Sequence, residues 1–141
     1  MEIVGGIVNC TVIISDEMIG SPIVRSLNSL MAMNRASKER FESQIKPHGL
    51  FIMNTSLIKD PVNRTDIDII RINATDIAEE LGNVNAANMV MLGALIGRTG
   101  IIKPETVSNA MKEIIPKHRK NIIPLNETAF KKGLAHITHN V

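Results

Sequence analysis

The feature that most constrains this chain is an uncharged apolar run from Asn85 to Gly97, with the sequence NAANMVMLGALIG. Its apolar residues surround nearly the whole circumference of a helix, which is typical of a helix buried in a protein core. The run is too short to cross a bilayer, which takes roughly 18 residues or more. Glycine costs a helix interior about 1 kcal/mol relative to alanine, so we expect Gly93 to permit close packing of another backbone.

The elements around this helix follow an order in which strands come first and helices dominate later. Runs of β-branched and aliphatic residues predict strands, and amphipathic spacing with glycine or proline boundaries predicts helices. The predicted strands are 7–15, 27–33, 50–53 and 67–72, and residues 18–19 are predicted to pair back on the first strand as a hairpin. The predicted helices are 37–45, 75–81 capped by Thr75 and ended by Gly82, 85–97, one from Pro104, and 126–136, with breaks at Pro47-His48-Gly49, Pro116 and Pro124. No internal repeat or linker divides the 141 residues, so a single domain is expected.

Three of the apolar runs end in an asparagine, namely Asn34, Asn54 and Asn73. If their strands are parallel, these side chains lie along one rim of the sheet, where open α/β sheets bind ligands beyond the carboxyl ends of their strands. An amide group can both donate and accept hydrogen bonds there. The alternative is that each asparagine only caps the next element or adopts a left-handed backbone.

Charge and composition narrow the class of function. Residues 1–111 hold 10 Lys/Arg and 12 Asp/Glu, whereas residues 112–141 hold 6 and 2, so the basic excess belongs to the C-terminal segment. A solvated helical face explains it more simply than a patch for nucleic acid or an acidic partner. The chain has three phenylalanines and no Trp or Tyr on which bases could stack, so we expect no nucleic acid as a partner.

The remaining chemistry-bearing residues predict no catalytic centre. Cys10 lies in the first predicted strand, where a buried structural thiol is expected rather than a reactive one. The four histidines lack the spacing and third ligand of a metal site, so no metal is predicted. The start of the chain has no signal-peptide pattern and no run spans a bilayer, so a cytoplasmic protein without membrane contact is expected.

Several motifs together resemble one family over essentially the whole chain. The motifs are Gly5-Gly6 followed by Ile14-Ser15-Asp16-Glu17, then Ala32-Met33-Asn34, Ala78-Glu79-Glu80-Leu81-Gly82 and Asn88-Met89-Val90-Met91-Leu92-Gly93-Ala94. Together they resemble the gamma subunit, or gamma domain, of 2-oxoacid:ferredoxin (acceptor) oxidoreductases. The similarity is greatest to the 2-oxoglutarate and branched-chain types. The chain departs from the family pattern at Val4, where an arginine is usual. It also lacks the family's N-terminal glycine-rich segment.

The resemblance implies an α/β fold in which a mixed or mostly parallel sheet forms the middle layer of a three-layer α/β/α arrangement. It also implies that the chain is N-terminally truncated relative to the family. It implies a role in oxidative decarboxylation of a 2-oxoacid to acyl-CoA, with thiamine diphosphate, Mg, iron–sulfur clusters and CoA used through other subunits. Those partners are the alpha and beta subunits, with a ferredoxin-like delta subunit as a further candidate. The isolated chain is expected to be inactive and to self-associate. The candidate substrate or subunit-interface residues are Gly5, Gly6, Asn34, Asn54 and Asn73. A stand-alone α/β module that binds a small polar ligand at the asparagine rim is the alternative.

Overall fold

The structure is a computed structural model that describes residues 2–4, 7–15, 17–20 and 26–139. Its strands are β1 (Glu2–Val4), β2 (Ile7–Asn9), β3 (Leu27–Ala32), β4 (Ile45–Asn54) and β5 (Asp68–Ile72). Its α-helices are α1 (Arg35–Phe41), α2 (Ala74–Glu80), α3 (Ala87–Thr99), α4 (Pro104–Ile114) and α5 (Ile123–His139). Short 3₁₀ turns occupy Glu42–Gln44, Val84–Ala86 and Lys117–Ile122.

The main sheet has the order β3-β4-β5, and both of its strand pairs are parallel. β1 and β2 form a separate antiparallel pair. Parallel strands need covering on both faces. Leu50 and Ile52 of β4 pack with α2, α3 and α5, whereas Phe51 and Met53 face a second cluster that includes Ile58 from the β4–β5 connection. The expected α/β class is confirmed.

Helix α3 packs mainly against α5, and two glycines face each other where the helices cross. A Cβ on Gly93 would collide with the backbone carbonyl of Phe130 and stand 3.0 Å from Cα of Gly133. A Cβ on Gly133 would in turn collide with the carbonyl of Val90. The expected packing role of Gly93 is confirmed. The helix is not buried all round, because Gly97 is exposed at its far end.

The N-terminal predictions are wrong over most of their length. Of the first predicted strand, only the part that forms β2 is a strand in the structure, and residues 10–15 and 17–20 form none. Cys10 is exposed and lies beyond β2, so the prediction of a buried thiol within a strand is wrong. Strand propensity was high in this segment, but β2 pairs only with β1. The hairpin return at 18–19 is likewise absent from these described residues.

Two boundaries also differ from the prediction. Residues 47–49 do not end a helix but form a bulge inside β4, which advances from Ile45 to Leu50 while β3 advances only from Leu27 to Ser29. His48 takes a left-handed backbone (φ 67°) there, and a bulge is one of the few places where a sheet accepts proline. Helix α5 starts earlier than expected, because Pro124 lies in its first turn, where no N–H bond is lost.

Candidate functional site at the carboxyl rim of the sheet

The carboxyl ends of the three parallel strands lie side by side, and each is followed by one of the predicted asparagines. Asn34 lies two residues past β3, Asn54 is the last residue of β4, and Asn73 directly follows β5. The strands are parallel and adjacent, so the predicted rim exists. We call Asn34, Asn54 and Asn73 the asparagine rim. The three side chains have different surroundings and different tasks.

Asn54 is fully buried and joins the three strand ends. Its Nδ2 donates to the carbonyl of Met33 at 3.0 Å, just beyond β3, and to Oγ1 of Thr75 at 2.9 Å, in α2. Its Oδ1 accepts the N–H of Ser56 at 3.3 Å and of Thr75 at 3.4 Å. Both amide hydrogens and both lone-pair sites are therefore occupied within the protein. A ligand could reach this amide only by breaking those bonds.

Asn34 is exposed and caps α1. Its Oδ1 accepts the N–H of Ser37 at 2.9 Å, and its extended backbone (φ −141°, ψ 170°) is that of a helix N-cap. The neighbouring Arg35 pairs through Nε with Glu39 and with Asp60, each at 2.9 Å. This end of the rim therefore presents one amide beside a guanidinium whose charge is already shared by two carboxylates.

Asn73 occupies the N-cap position of α2, yet its side chain makes no capping hydrogen bond. The end of β4 and the β4–β5 connection perform that role instead. Asn54 Oδ1 accepts the N–H of Thr75, and Ser56 Oγ accepts the N–H of Asp76 at 3.0 Å. The predicted cap at Thr75 is wrong, because Thr75 lies inside the helix and its hydroxyl serves Asn54. The exposed amide of Asn73 is thereby left available to a ligand or partner.

The opposite end of the sheet carries a bidentate ion pair. Arg64 donates to both carboxylate oxygens of Asp66, at 2.8 and 2.6 Å, and also to the carbonyls of Glu42 and Ile45. The hydrogen bond from Arg64 is the main cause that holds the pKa of Asp66 below its usual range. The same bond raises the pKa of Arg64. This clamp ties the β4–β5 connection to the start of β4, on the side away from the rim.

Sequence reasoning found the three asparagines but missed their hydroxyl partners. Ser56 and Thr75 complete the Asn54 network, and the only signal for Ser56 was its place two residues after Asn54. Gly5 and Gly6 lie outside the described residues. The rim offers amides, hydroxyls and one paired guanidinium, which can bind and orient polar groups. Among the residues that the structure describes, no three metal-ligating side chains come together.

Comparison with known proteins decides the family. The model for pyruvate ferredoxin/flavodoxin oxidoreductase matches residues 1–136. A 2-oxoglutarate synthase subunit (KorC) of Methanocaldococcus jannaschii is 32% identical over 133 residues, covering 92% of this chain and 68% of the relative. The chain belongs to the pyruvate ferredoxin/flavodoxin oxidoreductase family. The resemblance inferred from the sequence motifs is confirmed.

Two solved structures share the family fold. The gamma subunit of a keto/oxoacid ferredoxin oxidoreductase from Geobacter sulfurreducens superposes with a TM-score of 0.72 at 21% identity, covering 79% of this chain and 64% of that one. A 2-oxoglutarate:ferredoxin oxidoreductase from Magnetococcus marinus gives 0.73 at 22% identity, covering 90% of this chain and 22% of that one. The chain thus spans about two thirds of the length of the gamma subunit and of the archaeal family relative. The described helices include none long and apolar enough to cross a membrane.

Proposed function

We propose that this chain is an accessory, gamma-type subunit of a cytoplasmic 2-oxoacid:ferredoxin oxidoreductase. The observation that carries the proposal is the match of 92% of the chain to a 2-oxoglutarate synthase subunit at 32% identity. The complex would convert a 2-oxoacid and CoA to acyl-CoA and CO₂ and pass the electrons to ferredoxin. Its partners would be alpha and beta subunits, with a ferredoxin-like delta subunit as a further candidate.

The chemistry of the chain supports a role without catalytic residues of its own. The whole sequence has a single cysteine, whereas an iron–sulfur cluster is normally held by four thiolates. The carboxylates beside the rim, Glu39 and Asp60, are both paired with Arg35. We therefore assign thiamine diphosphate, Mg and the iron–sulfur clusters to the other subunits. When bound there, thiamine diphosphate acts as the carbanion-forming group and the clusters carry the electrons.

The asparagine rim suits the binding of CoA or of a neighbouring subunit. Asn34 and Asn73 are exposed and can direct amide N–H groups outward, whereas Asn54 holds the strand ends on which they stand. Their amide N–H groups would donate hydrogen bonds to anionic oxygens such as those of a phosphate. Gly5 and Gly6 remain interface candidates on the strength of the family resemblance.

Reconstitution tests the assignment as a subunit. The purified chain is mixed with the purified remaining subunits of the same complex, and 2-oxoacid- and CoA-dependent reduction of a viologen is measured. We expect no turnover by the chain alone and formation of a stable complex that includes it. Turnover by the isolated chain would refute the accessory role. Failure to associate would favour the stand-alone ligand-binding module instead.

The rim is tested by Asn34→Asp and Asn73→Asp in the assembled complex. Both changes keep the fold, because aspartate caps a helix about as well as asparagine and suits a helix N-terminus. Each adds a negative charge and removes two amide donors, so we expect the KM for CoA to rise. The matched control is Asn109→Asp, which makes the same charge change at an exposed residue of α4. Unchanged KM values in both rim variants would leave these asparagines as structural residues only.

A further inference from the structure

The connection between α4 and α5 concentrates positive charge on an exposed surface. Four cationic side chains and one carboxylate, Glu113, occur between Lys112 and Lys120, and all five are exposed. Elsewhere in the described part of the chain, Arg64 and Arg98 pair with carboxylates, whereas the exposed Lys103 pairs with none. No ion pair of the described residues involves any of these four cations. Their charge is therefore not neutralised by the folded chain.

The local backbone brings these charges together. Lys117–Ile122 is a 3₁₀ helix, in which side chains three residues apart point the same way. Lys117 and Lys120 therefore share one face, separated by about 6 Å along the axis at roughly 2 Å per residue. That distance is below the Debye length of about 8 Å at physiological salt, so the two charges repel each other. The C-terminus of α4 compensates only Lys112, which lies in its last turn.

An exposed apolar side chain lies close to these cations in the sequence. The apolar residues of α4 and of its C-terminal boundary include Val107, Met111, Ile114 and Ile115. Of these four only Met111 is buried, and Ile114 is 77% exposed. We define the basic corner as Lys112, Ile114, Lys117, Arg119 and Lys120. Protein–protein interfaces usually combine exposed apolar area with polar and charged residues at their border.

We infer that the basic corner is a docking surface for an acidic face of another subunit in the complex. The inference rests on the proposed function and adds where a partner binds and what its surface carries. Carboxylates of a partner would neutralise the four unpaired cations, and an apolar patch would cover Ile114. Base stacking is poorly supported, because Phe51 and Phe130 are buried in the core. A single exposed isoleucine is also little apolar surface for insertion into a membrane.

A charge-reversal variant tests the docking surface in the full chain. Lys117→Glu/Arg119→Glu/Lys120→Glu is compared with Lys103→Glu/Lys131→Glu/Lys132→Glu, an equal charge change on exposed residues outside the basic corner. Association with the purified remaining subunits is followed by surface plasmon resonance at about 0.05 M and about 0.5 M NaCl. We expect the reversal to slow association about tenfold at low salt, with a smaller difference at high salt. The control variant should stay within about twofold of the unchanged chain.

Ile114→Ser tests the contribution of the apolar side chain of the basic corner separately. This variant should dissociate from the same subunits about fivefold faster, since losses of buried apolar contact act mainly on the dissociation rate. Its melting temperature should match that of the unchanged chain, because Ile114 is exposed in the isolated protein.

The outcomes separate this inference from the proposed function. If the unchanged chain binds but the two triple variants behave alike, the basic corner is not the docking surface and the proposed function stands. If the unchanged chain does not bind the subunits, both fall. Phosphatidylserine vesicles and single-stranded DNA are measured in parallel. The inference would be overturned if the reversal variant lost binding to the vesicles or to the DNA but still bound the subunits as the unchanged chain does. The basic corner would then be a surface for lipid or nucleic acid.

Discussion

The crossing of α3 and α5 allows a quantitative test with the smallest possible change, Gly93→Ala. Alanine gains about 1 kcal/mol of intrinsic helix stability over glycine. The added Cβ falls on the carbonyl of Phe130, and the neighbouring atom is Cα of Gly133, so no flexible side chain can move aside. The helices must separate by roughly 1 Å to restore ordinary contact. A gap of that size forfeits a quarter to a half of each dispersion contact along the crossing.

Because the added Cβ overlaps backbone atoms, we take the overpacking cost at about 3 kcal/mol, the upper end of its usual range. Set against a gain of about 1 kcal/mol in helix propensity, the expected net effect is a loss of about 2 kcal/mol of unfolding free energy. For a domain of this size, that loss lowers Tm by about 4–10 °C. Thermal unfolding followed by circular dichroism gives the measurement. Gly97→Ala in the same helix is the control, since the atoms nearest to its Cβ belong to the Ile137 and Leu134 side chains, at 3.3–3.5 Å. Its Tm should stay unchanged or rise slightly.

A double variant sharpens the test. Gly133→Ala alone should also destabilise the chain, because its Cβ meets the carbonyl of Val90. Once Gly93→Ala has separated the helices, part of the space for the second Cβ is already open. The stability loss of the double variant should therefore be smaller than the sum of the two single-variant losses. A Tm for Gly93→Ala equal to or above that of the unchanged chain, or strictly additive losses, would refute the close-crossing argument.

Three further predictions concern other parts of the chain. Asn54→Asp should destabilise the fold by about 2–4 kcal/mol in chemical denaturation, because a carboxylate cannot donate to Met33 and Thr75 and would be buried; a loss below about 0.5 kcal/mol would contradict this. Asp66→Asn should lower Tm at neutral pH and converge with the unchanged chain as the pH falls. The pKa of Asp66 is depressed in the folded state, so its stabilisation exists above the unfolded pKa of about 3.9 and disappears as the pH drops through the folded value. A deficit that persists below about pH 2 would contradict that reasoning. Val12→Ser/Met18→Ser should reduce self-association in light scattering, since these side chains are 75% and 98% exposed, and an unchanged monomer fraction would assign the contact elsewhere.

Sequence reasoning succeeded where one local pattern fixes the structure. The apolar runs that end at Asn34, Asn54 and Asn73 located the strands of the sheet, and the uncharged run located α3. The sequence could not separate Asn54 from the other two, because its burial depends on partners 21 residues away in either direction. Propensity also overextended β2, since a strand needs a partner as well as β-branched residues.

The bulge at residues 47–49 and the exposure of Ile114 were beyond local reasoning for related reasons. Proline next to glycine is a strong break signal, and only the pairing of β3 with β4 on both sides of it keeps the strand continuous. The apolar face of α4 is a sound helix pattern, but a pattern cannot tell whether the chain itself supplies the covering surface.

The bonds of Asn54 also have an expected consequence for unfolding kinetics. Its two donor bonds close loops of 21 residues on both sides, so they form only after β3 and α2 have reached β4. Contacts made after the transition state slow unfolding and leave the folding rate nearly unchanged. We therefore expect loss of these bonds to shorten the lifetime of the folded strand ends more than it slows their first assembly.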